Sequence, residues 1–161
     1  PLSNVQEIIP YIAGTPVQGY LVMALYGINA VEPSFNPKTV LAAPAEAQLG
    51  VLQSGCLYQI LETYDDFTAE QLVEGGTVPA AVVTKMAQYE NPLQTAPSAP
   101  VLIVHGTDDE AVPYFLSEIL VGQVTSYGVS VTFQTIDGAN HDQAVIQSSV
   151  QVADWIAARF A

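Results

Sequence analysis

Two short stretches carry side chains whose types and spacing could do chemistry. HGTDDEAVP (105–113) places Asp108, Asp109 and Glu110 directly after the apolar run VLIVH, and DGANHDQ (137–143) carries His141 after the run VSVTFQTI. A carboxylate and an imidazole make up the acid–base half of a nucleophilic triad. The histidine takes a proton from a nucleophile and returns it to the leaving group, while the carboxylate fixes the ring tautomer and stabilises the imidazolium. In the order serine, acid, histidine, the chain supplies the last two members. The other polar residues nearby have plainer readings. His105 reads as a wall residue beneath the site, Asp108 and Glu110 as solvent-facing or helix N-terminal charges, Asp137 as a turn residue and Asp142 as the N-cap of the last helix. An acid-only metal site at Asp108, Asp109 and Glu110 lacks ligands converging from elsewhere.

Asp109 and His141 lie 32 positions apart, so only tertiary structure can bring them together. VLIVH (101–105) is a short apolar run between Pro and Gly, which predicts a strand covered on both faces. Leu116, Leu120, Val124 and Tyr127 share one helical face over 114–127, and Gly128 stops that helix. Residues 129–136 alternate as a strand, and Ile146, Val150, Ala153, Ala157 and Phe160 predict a helix over 143–160 with one buried stripe. The order β-α-β-α implies parallel strands joined by a crossover. Both loops then fall on the carboxyl rim of the sheet, where functional residues gather in α/β folds.

Residues 1–99 read as helical and loop-rich. Val17, Leu21, Ala24, Ile28 and Val31 form an apolar stripe ended by Glu32-Pro33. Met23, Leu25 and Tyr26 widen it, which suits either burial on two sides or an acyl-chain tunnel, and Gly14, Gly19 and Gly27 allow close packing or hinge motion. Thr68 with Gln71 spells a capping box that opens a short helix closed at Gly75-Gly76, and Pro79 begins another helix. NPLQTAPSAP (91–100) is a linker by composition. Two parallel strands cannot cover both faces of a sheet and satisfy both of its edges, so a further segment is expected to complete it.

The 161 residues suit one domain or a piece of a larger one, and half of them are hydrophobic. Three cations against 16 acids give a net charge of −13, which repels phosphate backbones and excludes nucleic-acid binding. No apolar run approaches the roughly 20 residues of a membrane span. The start, PLSNVQEII, has no initiator Met, basic n-region or cleavage site, as though already inside a fold. Few lysines and many Ala, Ser, Thr and Gln suit a secreted microbial protein. Cys56, the one cysteine, is either paired outside the chain or a buried free thiol.

GTDDEAVPY, GANHD and the closing amphipathic helix resemble the C-terminal part of an α/β-hydrolase, and most of all the secretory lipase family of lipase A-like enzymes. That family's pattern Gly-x-x-Asp-x-x-Val-Pro maps onto Gly106, Asp109, Val112 and Pro113, so the resemblance implies that Asp109, not Asp108, is the acid and that His141 is the histidine. It also implies a mainly helical cap over residues 1–97, in which SGCLYQI (54–60) resembles a cysteine-containing segment, and the C-terminal part of the hydrolase core over 98–161. One departure is large: no Gly-x-Ser-x-Gly elbow occurs. Gly128-Val-Ser130-Val-Thr132 lacks the final Gly and lies in a strand, and Ser54 has no Gly at the right offset. In the family the elbow and the oxyanion donors lie upstream of the cap. The implied whole is a secreted serine ester hydrolase, a lipase or esterase acting on acyl esters or lipids without metal or organic cofactor. Its nucleophile would sit on an N-terminal portion or a separate chain. The competing reading is a non-catalytic α/β-hydrolase-like ligand-binding or interaction module, and a peptidase or other acyl transferase would share the triad.

Overall fold

Residues Val5–Glu90 form a helical unit in the computed structural model, which describes residues 3–160. Its helices are α1 (Gly19–Val31), α2 (Ala43–Glu46), α3 (Val51–Ser54), α4 (Leu57–Tyr64), α5 (Ala69–Leu72) and α6 (Ala80–Glu90). Helices this short are marginal alone, so their stability comes from burying apolar faces together. Leu21, Val22, Leu25 and Ile28 of α1 enter one core with Tyr64, Leu72 and Met86.

The α1 stripe differs from the periodic expectation. Leu21 and Ile28 are buried, but Val17 and Val31 are exposed, and Val22 and Leu25 join the buried side. The close approach of α4 explains the rotation: a Cβ on Gly19 would lie 3.1 Å from the Leu61 backbone. Thr68 and Gln71 form the capping box their spacing predicts. Helix α5 ends at Leu72, earlier than the glycine pair, because Val73 turns extended; Gly75 and Gly76 take positive φ in the next turn. Gln18, fully buried, accepts from the Gly14 amide and donates to the Tyr64 and Phe67 carbonyls. A buried amide without those partners would cost about 1–3 kcal/mol. Past the end of α1, Glu32 pairs with Lys85 at 2.7 Å and accepts from the Tyr89 hydroxyl at 2.8 Å.

The second unit comprises Pro1–Asn4 and Asn91–Ala161. It is built from β1 (Val101–Gly106), α7 (Tyr114–Ser126), β2 (Val131–Ile136) and α8 (His141–Ala157). The strands pair in parallel from Val101 opposite Val131 to Gly106 opposite Ile136. Side chains alternate across β1. Ile103 packs with Leu120 and Val124 of α7, while Leu102 and Val104 share a groove with Val152, Trp155 and Ile156 of α8. Helices therefore cover both faces of the strand pair.

Two features of α8 depart from the sequence reading. It begins at His141, because Asn140 caps it rather than Asp142: Asn140 Oδ1 accepts from the Gln143 amide, and Gln143 Oε1 accepts from the Asn140 amide. The predicted buried stripe is also on the outside, with Ile146 71%, Val150 69% and Phe160 88% exposed. Ala144 and Ser148 are buried instead, and Val152 and Trp155 are half-buried. These four follow His141 at helical spacing, so the helix turns to the sheet the same side that carries the histidine. Among the described residues no buried side-chain nitrogen or oxygen lacks a partner, and no helix is long and apolar enough to cross a membrane.

Candidate active site

Asp109 sits where β1 gives way to the turn, with only 5% of its side chain exposed. Oδ1 accepts the backbone N–H of Ala111 at 3.0 Å and of Val112 at 2.8 Å, the local turn an aspartate makes with the residues that follow it. Oδ2 faces the other way and accepts from His141 Nδ1 at 2.8 Å. Burial alone would push this carboxyl up. The Val112 amide, the hydrogen bond and charge of His141, and the Ala111 amide outweigh burial and hold it below its ordinary value of 3.8. A carboxylate so held is ionised at neutral pH and is committed to the histidine.

His141 is presented by its neighbours. The capping box at Asn140 starts α8 so that the imidazole leaves the first helical position, half exposed, over Asp109. The two loops are stitched together below it: the Asp108 amide donates to the Ala139 carbonyl at 3.1 Å, and the Gly138 amide to Thr107 Oγ1 at 2.8 Å. Gly106 makes that approach possible, because a Cβ there would lie 2.1 Å from the Ala139 carbonyl oxygen. Since Asp109 can only accept, His141 carries its proton on Nδ1. The Nε2 lone pair is then left to receive a proton. No hydrogen bond engages Nε2 among the described residues.

His105 lies deeper, 3% exposed, on the α7 side of β1. Its Nδ1 is 2.6 Å from Ser117 Oγ, and its Nε2 is 3.0 Å from the Val112 carbonyl and 3.2 Å from Asp109 Oδ2. Its ring also meets Tyr114 edge-on at 5.5 Å. A cavity of about 140 Å³ opens beside these groups, bounded by Val104, His105, Asp109, His141, Val145 and Ser148.

The structure thus brings Asp109 and His141 together as expected and places His105 against Asp109. Asp108, Glu110, Asp137 and Asp142 are all exposed. The three consecutive acids do not converge on a point, and no group of His, Cys, Asp and Glu among the described residues could hold a metal ion. Of the serines weighed from sequence, Ser130 is far from the pair within the same unit. Ser130 precedes β2 at the opposite end of the strand from His141, roughly 20 Å away at ~3.3 Å per residue. Ser54 is exposed in the helical unit and bonds the Gly50 carbonyl. Cys56 is a free, exposed thiol. Sequence reasoning missed Ser117, the close loop approach that Gly106 permits, and Asn140. The last was readable, since Asn140 and Gln143 stand at capping-box spacing.

Comparison with known proteins places the chain in a family and a fold. The secretory lipase family matches residues 1–161. The chain is 25% identical over 169 residues to the secreted triacylglycerol lipase LIP7 of Malassezia globosa, covering 99% of this chain and 36% of that protein. It therefore spans about a third of that relative's length. Among solved structures, Candida antarctica lipase A in its closed state superposes with a TM-score of 0.72 at 23% identity, over 94% of this chain and 38% of that one. A second structure of the same lipase gives 0.63 at 22% identity, over 85% and 35%. The parallel β-α-β-α unit is thus part of an α/β-hydrolase fold, and the chain belongs to the secretory lipase family.

Proposed function

We propose that this chain supplies the acid, the histidine and a helical cap to a secreted carboxylic ester hydrolase, a lipase or esterase acting on acyl esters. The observation that carries the reading is the 2.8 Å bond from His141 Nδ1 to the buried Asp109 carboxylate, at the edge of a cavity that both residues line. A serine outside these residues would lose its proton to His141 Nε2 as its Oγ attacks the ester carbonyl. The imidazolium, held by Asp109, then passes that proton to the departing alkoxide, leaving an acyl-serine. Water repeats the sequence, giving its proton to His141 and releasing the acid and the free serine. The Asp109–His141 pair needs no metal or organic cofactor for these steps.

The upstream portion that carries the serine would also complete the sheet. β1 pairs only with β2 among the described residues, and the exposed stripe Ile146, Val150 and Phe160 offers apolar surface for it to cover. A secreted location follows the family and the Malassezia relative. In the complete enzyme, His141→Ala should lower hydrolysis of a short acyl ester on the order of 10⁴-fold or more. A fluorophosphonate probe should label one serine outside residues 1–161, which peptide mass spectrometry would locate. Native turnover in His141→Ala would sink the triad, and an unlabelled protein would favour a non-catalytic binding module.

A further inference from the structure

We propose that His105, oriented by Ser117, is a positioning residue that locks the Asp109 turn in the geometry His141 requires. The inference rests on the reading of Asp109 and His141 as the acid–base pair. Two acceptors face His105 Nε2: the Val112 carbonyl at 3.0 Å and Asp109 Oδ2 at 3.2 Å. A lone pair on Nε2 would be repelled by both, so the proton sits there and Nδ1 becomes an acceptor. Ser117, fully buried on α7, donates its hydroxyl to Nδ1 at 2.6 Å and thereby selects the tautomer from the other side of the ring.

The effect reaches Asp109 by two routes. Val112 is held at both ends, its N–H donating to Asp109 Oδ1 and its carbonyl accepting from His105, so the turn that aims the carboxylate is anchored to β1. Nε2–H also lies against Oδ2, the oxygen that receives His141. Tyr114, edge-on to the ring, and α7 leave the imidazole little room to turn. The arrangement repeats at a second remove what Asp109 does for His141: a buried acceptor or donor fixes one nitrogen so that the other is correctly protonated.

The test uses the complete enzyme with three variants and one spectroscopic measurement. His105→Asn lacks a donor at the Nε2 position and should lower kcat about 10- to 100-fold with KM changed less than about 2-fold, as expected for a misaligned catalytic pair. His105→Gln carries an amide nitrogen the same number of bonds from the backbone as Nε2 and should recover most of that loss. Ser117→Ala should give a smaller drop in kcat. Two-bond ¹H–¹⁵N spectra should show the Nε2–H tautomer at His105, giving way to a mixture in Ser117→Ala. Native kcat in a folded His105→Asn, or no recovery in His105→Gln, would overturn the positioning role. An Nδ1–H tautomer in the native protein would overturn it too, and decides the matter alone if the His105 variants do not fold. Failure of the triad reading is distinct, since it would appear as activity in His141→Ala whatever the state of His105.

Discussion

Asp109 gathers four polar neighbours on two oxygens: the amides of Ala111 and Val112 on one, His141 and His105 on the other. Each favours the ionised form or tolerates only an acceptor, so Asp109→Asn exchanges an acceptor for an amide that cannot serve His141 Nδ1–H equally well. We expect ester hydrolysis in the complete enzyme to fall on the order of 10⁴-fold, with KM little altered. The same residue ties stability to pH. Its carboxyl is held below 3.8 when folded, so it contributes stability above that value, and the contribution is lost as pH falls through the lower folded pKa. Thermal unfolding from pH 5 to pH 2 should show a decline below about pH 3.8 that is shallower in Asp109→Asn. Equal slopes in the two proteins would remove this residue from the acid response.

At the scale of elements, the first turn of α8 and the end of β1 decide where the histidine stands. Asn140→Ala removes the side-chain acceptor for the Gln143 amide and should cost about 1 kcal/mol. Turnover should fall as well, because the frayed position is the one that carries His141, and Asn140→Asp should restore both. Gly106→Ala meets backbone rather than a yielding side chain, with the Ala139 carbonyl oxygen 2.1 Å from the new Cβ. The expected cost is about 1–3 kcal/mol of overpacking, with loss of activity from separation of the loops. An unchanged melting temperature and turnover in Gly106→Ala would mean that the loops are not held by that contact. Both elements were recognisable by pattern, and β1 starts at Val101 as read, but the exact start of the last helix was not. The reading that began the last helix at Gln143 named Asp142 as its cap, whereas reciprocal bonding between Asn140 and Gln143 begins it at His141.

At the scale of the whole molecule, the exposed apolar stripe of the last helix sets what the rest of the enzyme must cover. Ile146 and Val150 of α8 lie on the side of the helix opposite the buried Ala144 and Ser148, and a hydrophobic stripe of this kind marks a surface meant for contact. If the upstream portion covers it, Val150→Asp should destabilise the complete enzyme by well over 1 kcal/mol, while Ser149→Asp next to it should stay within about 0.5 kcal/mol. Equal, small effects would place the stripe in solvent in the finished protein. The strong negative charge belongs to this scale too, since a net charge of −13 repels polyanionic partners.

Sequence by itself determined the β-α-β-α order, because strand and helix periodicities are local properties of neighbouring residues, and it determined the pairing of an acidic turn with a histidine loop through the rim rule for parallel strands. The Thr68–Gln71 box and the buried Leu116, Leu120 and Val124 were legible for the same reason. Only the tertiary structure decided which face of α8 meets the sheet, since an apolar stripe states that a face will be covered but not by what. It also decided the rotation of α1, which follows from the nearness of Leu61 to Gly19 rather than from the stripe. The role of His105 was hidden for a related cause. Its partners Ser117, Val112 and Asp109 are spread along a turn and a helix, and nothing in their spacing reveals that one imidazole touches all three.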